Sequence, residues 1–476
     1  MNLEQENAQL RARVEELEAA LKAAQQQIQD LLAVVGQNSR NSHWPSSRDK
    51  GKHKKRTYSR RRSSGKAPGG QPGHPGQTLA PKEQPDEIVI HRPEQCPHCQ
   101  TAFPADQAAV AVAKRQVHDL PPFLLQVTEH QSETLCCAQC GHLSHGAFPD
   151  TVDAPVQYGP RVQQLTVYLK TVQLIPYDRS RQLFADLFEL QISPGTLQTI
   201  VQRAAHRLRS VVARIKTALL ANAVVHFDES GFYVAGDRQW LHTASTPTLT
   251  YYFPHPRRGH AATEAMGILP HYQGTAIHDN WSAYHQYQQC HHGLCNVHHL
   301  RELTAVAEND QQPWATRFQT FLLSVKRRVD TARDAGASSL APQQLAQVER
   351  VYRRLIERAL HANAPPPDGW PQSRRGRPKK PKARNLAERL AARERQVLAF
   401  AYDFKVPFDN NLVERDLRML KVQQKISGCF RSPAAATDFC TIRSYISTLR
   451  KQGRDIWTAL GSLFAGDLLL PDYTPV

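Results

Sequence analysis

The chain has 476 residues, with 60 Lys or Arg against 43 Asp or Glu, and a net charge of +17. That length exceeds one ordinary core and predicts two to four domains. The charge favours a polyanionic partner, nucleic acid first. No apolar run approaches the ~20 residues of a spanning helix, and the N-terminus lacks the apolar core of a signal peptide. Both argue against a membrane and for a cytoplasmic, nucleoid-associated protein.

Residues 1–36 carry a heptad pattern. Leu3, Leu10, Leu17, Ala24 and Leu31 fill one seam, and Asn7, Val14, Leu21, Ile28 and Val35 the other. This predicts a coiled coil and a homo-oligomer; a solitary amphipathic helix is the plainer alternative. Residues 37–85 form a basic linker, and Arg40 to Lys66 holds eleven basic residues and one acid. Such a run cannot build a core. Arg60, Arg61 and Arg62 are its densest cluster, suited to phosphate contact without sequence readout.

Residues 86–150 contain Cys96-Pro-His-Cys99 and Cys137-Ala-Gln-Cys140. In a reducing compartment two such pairs predict a structural zinc on Cys96, Cys99, Cys137 and Cys140. The spacing leaves room for a β-hairpin within Arg115 to Thr134. Cys136 competes with Cys137 as a ligand. Residues 151–222 read as three helices, RVQQLTVYLKTV, YDRSRQLFADLF and one capped by Ser193-Pro194-Gly195. They serve a helix-turn-helix or an ordinary bundle equally well.

Residues 223–299 switch to strand character at 223–227, 240–244, 249–253 and 275–278, with a helix-like segment at 261–269. Strands and a helix in this order predict an α/β core. Asp228 and Asp279 each end an apolar strand-type run. Residues 300–405 read as a helical insertion with a Pro- and Arg-rich break. Arg375-Gly-Arg377-Pro, with Lys379 and Lys380, is similar to an AT-hook that fits a narrow minor groove; a charged loop is the alternative. In residues 406–476, Asn411, Glu414 and Arg418 share one helix face. Asp409 is the expected N-cap. Glu302, Asp403, Asp409 and Asp416 compete with Glu414 as a third acid.

Three carboxylates able to converge suit two-metal phosphoryl transfer, with magnesium or manganese on oxygen ligands. Cys295 and His298 form a Cys-x-x-His that either binds a second metal with Cys290, His291 and His292 or packs structurally.

HFDES, HDNWSAY and PFDNNLVERDLRMLKVQQKISGCFRS resemble the insertion-sequence sixty-six family of bacterial DDE transposases, and the resemblance covers essentially the whole chain. It implies a ribonuclease-H-like core interrupted by a helical insertion. The implied catalytic trio is Asp228, Asp279 and Glu414, with Asn411, Arg415 and Arg418 in support. The implied partners are the terminal inverted repeats of the element, target DNA and companion proteins of the same element. The rival functions are a non-catalytic DNA-binding regulator and a metal-dependent nuclease without strand transfer.

Overall fold

A computed structural model describes residues 3–37, 41–42, 79–119, 124–367, 369–370 and 380–475. Arg60, Arg61, Arg62, Arg375, Arg377 and Lys379 lie outside them. The chain forms two compact units, residues 1–54 with 129–476 and residues 55–128. Among the described residues no helix is long and apolar enough to cross a membrane.

Helix α1 (Leu3–Val35) has no internal Pro or Gly. Its seam residues Leu10, Val14, Leu17, Leu21, Ile28, Leu31 and Val35 are all exposed. Strands β1 (Thr134–Cys136) and β2 (Leu143–His145) pair antiparallel around the second Cys-x-x-Cys. The hairpin expected within 115–134 is therefore displaced: the described residues 115–119 and 124–133 form no strand. The cause is the cysteine turn itself, which reverses the chain with Gly141 at φ +70 and so sets the strands on either side of it.

Helix α2 (Pro160–Val167) runs into a π turn, followed by α3 (Tyr177–Phe188) and α4 (Pro194–Leu220). Ser193 caps α4 by accepting from Thr196 N at 3.0 Å, and Pro194 sits where no intrahelical donor is needed. Leu197, Ile200, Val201, Ala204, Leu208, Val211, Ile215 and Leu219 form its buried stripe.

Strands β3 (Val224–Val234), β4 (Asp237–Ser245) and β5 (Thr250–His255) follow, then α5 (His260–Met266), β6 (Thr275–His278) and β7 (His291–Leu294). They form one mixed sheet in the order β5-β4-β3-β6-β7. The first three strands are antiparallel, while β3–β6 and β6–β7 are parallel. Ala235 and Gly236 close the β3–β4 hairpin with φ of 51 and 92, the conformation a tight twisted hairpin demands.

A helical block follows, α6 (Asn296–Asn309), α7 (Pro313–Asp334), α8 (Pro342–Ala362), α9 (Lys382–Ala392), α10 (Glu394–Val397) and α11 (Ala399–Tyr402). It has its own apolar cluster, joined to the sheet through Ile277 and Leu294. Helices α12 (Asn411–Ser427), α13 (Pro433–Lys451) and α14 (Ile456–Ala465) complete the chain.

Strand alternation sorts β3 into two faces. Val225 and Phe227 join α4, α13 and α14 in the largest core. Phe232 and Val234 join Leu417 and Leu420 of α12 in another. His226 and Asp228 have the same parity as Phe232 and therefore face α12.

Candidate active site

Strand register aligns the two aspartates. Val224, Val225 and His226 pair with Thr275, Ala276 and Ile277. Two more steps put Asp228 level with Asp279 on adjacent parallel strands, which run about 4.8 Å apart. Each carboxylate accepts from a nearby backbone amide: within β3, Asp228 Oδ1 from Glu229 N at 2.8 Å, and in the turn after β6, Asp279 Oδ1 from Trp281 N at 3.0 Å.

Glu414 arrives from α12, whose first turn is tied to β3. Asn410 Nδ2 donates to Phe227 O at 2.9 Å, and Asn410 Oδ1 meets His226 Nδ1 at 2.7 Å. Asn410 N donates to Cys295 Sγ at 3.2 Å. The cap is thus Asn410 and not Asp409. Asp409 instead accepts from Asn411 N at 3.1 Å, because the Asn410 side chain is committed to the sheet. Asn411, Arg415 and Arg418 are exposed. Of these, Arg418 sends its charge to Glu414, as does Arg301 of α6, which sequence reading passed over.

Asp228 feels the charge of both other acids, and Glu414 that of Asp279. Burial, then Glu229, Asp279 and Glu414, hold the Asp228 carboxyl well above the usual carboxylate range. Burial, Asp409 and Asp279 raise Glu414 against Arg301 and Arg418. Glu414 Oε1 is buried with no hydrogen-bond partner. A crowded acid set with an orphaned oxygen fits a hard divalent cation, which takes oxygen ligands.

A fourth carboxylate, Glu229, was not foreseen. It points to the other face of β3, with a side chain only 1% exposed. Arg258 Nε donates to it at 2.7 Å and Tyr284 Oη at 2.5 Å. Arg258 is itself stacked over Trp240 and Trp281, 4.9 and 4.4 Å from the ring centroids. These partners lie 29 and 55 residues from Glu229, beyond any local pattern.

Of the other acids, Glu302 pairs with Arg389, Asp416 with Lys451, and Asp403 accepts from Lys405 N. Lys380 is paired with Glu388.

Cys295, His298 and Glu414 offer ligand atoms within 4.8 Å of one another, as do His278, His285 and His292. Burial first, then the Glu414 charge, pushes the Cys295 thiol up to about 12. The histidine trio closes its hydrogen bonds without an ion. Asn280 N donates to His278 Nδ1, so the His278 proton sits on Nε2 and reaches His292 Nδ1; His292 Nε2 then donates to Tyr287 O. Arg393 donates to His285 Nδ1, leaving Nε2 to donate to Asn280 Oδ1. Burial keeps all three rings neutral, His285 down to about 3. The trio braces the turn after Asp279. Cys290 is buried and donates to Tyr287 O.

The two cysteine turns, each within its own unit, share one geometry. Cys96 N donates to Thr101 O and Gln100 N to Cys96 O; Cys137 N donates to His142 O and Gly141 N to Cys137 O. The residue after each second cysteine is left-handed, Gln100 at φ 58 and Gly141 at φ 70. Hydrogen bonding from Thr101 leads in lowering the Cys99 thiol to about 7.

The mixed sheet and the match to a transposase family over residues 155–438 define the class: a transposase, an enzyme that acts on DNA. The matching model is described as Transposase IS66 family and covers more than half of the chain. The protein belongs to the IS66 transposase family. Residues 1–80 match a family of unknown function (DUF6444). No curated protein matches the sequence.

Proposed function

We propose that this protein is a DDE-type transposase that binds the terminal inverted repeats of its element, cuts DNA there and joins the freed end to target DNA. The observation that carries the reading is the meeting of Asp228, Asp279 and Glu414 in one electrostatic neighbourhood with an unpartnered buried oxygen on Glu414. The strand order β5-β4-β3-β6-β7, with Asp228 within β3 and Asp279 just beyond β6 on neighbouring parallel strands, supports a ribonuclease-H-like core.

In this reading Asp228, Asp279 and Glu414 hold magnesium or manganese. Bound there, the metal would activate the attacking oxygen and stabilise the leaving one. Asn410 ties the start of α12 to β3 beside Asp228, which fixes where Glu414 stands relative to that strand. Arg418 and Arg301 balance the Glu414 charge and face an incoming phosphate. Arg258 and Tyr284 occupy the Glu229 carboxylate on the other face of β3.

The flanking segments extend the proposal. The exposed apolar seam of α1 suits self-association in parallel register. A tetrahedral zinc on Cys96, Cys99, Cys137 and Cys140 rests on the sequence spacing and on the matching shape of the two turns. It predicts one zinc per chain, removed by Cys99→Ser; a zinc-free wild-type chain would exclude it.

The deciding experiment uses labelled duplexes that end in the inverted repeat. Asp228→Asn, Asp279→Asn and Glu414→Gln should each abolish metal-dependent cleavage and joining while end binding persists. Wild-type cleavage by any one variant removes that residue from the trio. Binding by the wild-type chain with no metal-dependent cleavage favours a regulator, and cleavage without joining favours a nuclease.

A further inference from the structure

A second basic site lies on the far flank of the helix that carries Glu414. Residues two apart on a helix point about 200° apart, so Glu414 and Asp416 look in opposite directions. On the Asp416 side, α12, α13 and β5 enclose a cavity of about 370 Å³. Four cations line it: Arg415, Arg443, Arg450 and Lys451. Its one acid, Asp416, is already used, taking Lys451 at 2.6 Å and Ser245 Oγ at 2.7 Å. Among the described residues no carboxylate pairs with Arg415, Arg443 or Arg450. Their charges also press on one another, Arg450 on Arg443 and Arg415 on Lys451.

Arg443 is the anomaly. It is 5% exposed, donates through one terminal nitrogen to Thr171 O at 3.1 Å, and leaves Nε without a partner. Asp416 acts on it only from a distance, being itself paired with Lys451; a buried cation with no carboxylate in hydrogen-bond reach is costly, and a bound anion would complete it. Tyr252 Oη spends its proton on Asp416 O at 2.9 Å, and the Ser447 hydroxyl, 3.3 Å from it, adds a neutral donor to the same wall. Arginine forks with a hydroxyl make the donor set that phosphate oxygens accept.

We propose that this pocket, formed by Arg415, Arg443, Arg450, Ser447 and Tyr252, binds a backbone phosphate of the DNA on which the protein acts. It seats the strand against the same rigid helix that presents Glu414, so strand position and acid position share one element. The assignment rests on the reading of DNA as substrate, and the test separates the two.

Binding of the full chain to an inverted-repeat duplex is measured across a salt series. Arg450 is exposed at the end of α13, so Arg450→Gln should fold. It should weaken binding about tenfold and lower the salt slope by about 0.9, one phosphate contact, equally on an unrelated duplex; Arg450→Lys should restore the slope. Ser447→Ala should weaken binding about threefold with the slope unchanged. An Arg450→Gln loss with Ser447→Ala at wild-type affinity moves the contact to open surface and overturns the pocket. Calorimetry with inorganic phosphate forms the second arm. Binding that Arg450→Gln removes, beside an unchanged DNA slope, assigns the pocket to a free anion and overturns the proposal, as do two unchanged readouts. Failure of the wild-type chain to bind any duplex would strike the DNA reading itself.

Discussion

Asn410→Ala is the most informative single change in the core. The side chain makes two buried hydrogen bonds, to Phe227 O at 2.9 Å and to His226 Nδ1 at 2.7 Å. Truncation strands both partners in positions water does not reach: Phe227 is 2% and His226 5% exposed. Each stranded group costs about 1–3 kcal/mol, so the pair should cost about 2–5 kcal/mol. With an m-value of about 3 kcal/mol per M, the urea midpoint should fall by roughly 1 M. Tryptophan fluorescence reports the transition, since Trp240 and Trp281 lie in the core unit. Asn411→Ala is the control. That side chain is exposed, and its loss should stay within about 0.5 kcal/mol. Cleavage should fall further in Asn410→Ala than the folded fraction does, because Glu414 sits one turn along the same helix. A wild-type midpoint for Asn410→Ala, or a larger drop for Asn411→Ala, would refute the tether.

The acid set makes a pH prediction of unusual sign. Asp228, Glu229 and Glu414 all have raised folded values, so the native state holds their protons more tightly than the unfolded chain. In chelator, the stability these three groups contribute should be greatest below the unfolded carboxylate range near ~4 and should decline as pH rises through the raised values, while the buried neutral histidines act in the opposite sense below about 6.5. Asp228→Asn should flatten that decline in a thermal-shift series. Magnesium should raise the melting temperature of the wild type, by about 2.7 kcal/mol of stability at a hundredfold excess over its Kd, and leave Asp228→Asn almost unmoved; equal gains in both proteins would contradict the site. Arg258→Ala removes the cation from a glutamate whose side chain is 1% exposed and should cost about 3–5 kcal/mol at neutral pH, with a melting curve unchanged from wild type counting against it. Leu17→Glu with Leu21→Glu should reduce the sedimenting mass to that of one chain, and an unaltered mass would locate self-association outside α1.

What the sequence revealed followed from how local each signal is. Helix α3 spans Tyr177–Phe188 as its periodicity indicated, and α4 begins at Ser193-Pro194 because capping is settled within four residues. Asp228 and Asp279 were found because apolar strand runs end at them. The His-His-Gly-Leu of β7 is not foreseen as a strand, since histidine and glycine carry no strand signal; parallel pairing with β6 makes it one. Asn410 and Asn411 are chemically identical neighbours, and only the position of β3 decides which is buried. Glu229 continues the apolar face of Val225 and Phe227, and no local pattern shows that Arg258 and Tyr284 satisfy a carboxylate there. The hairpin was misplaced because turn geometry at the second cysteine pair, and not residue preference, decides where β1 and β2 lie.

The helical block between β7 and α12 leaves and re-enters the core almost at a point. Asn296 N bonds Phe408 O at 3.0 Å, and Asn410 reaches Cys295, 115 positions earlier. Such an excursion is stitched shut at its neck. A short bridge across that neck could replace everything from α6 to α11 and still deliver the glutamate helix to the sheet, provided the apolar flank at Ile277 and Leu294 were recapped. The chain is thus divisible, with an appendage free to change in length while the sheet and its acids keep their shape.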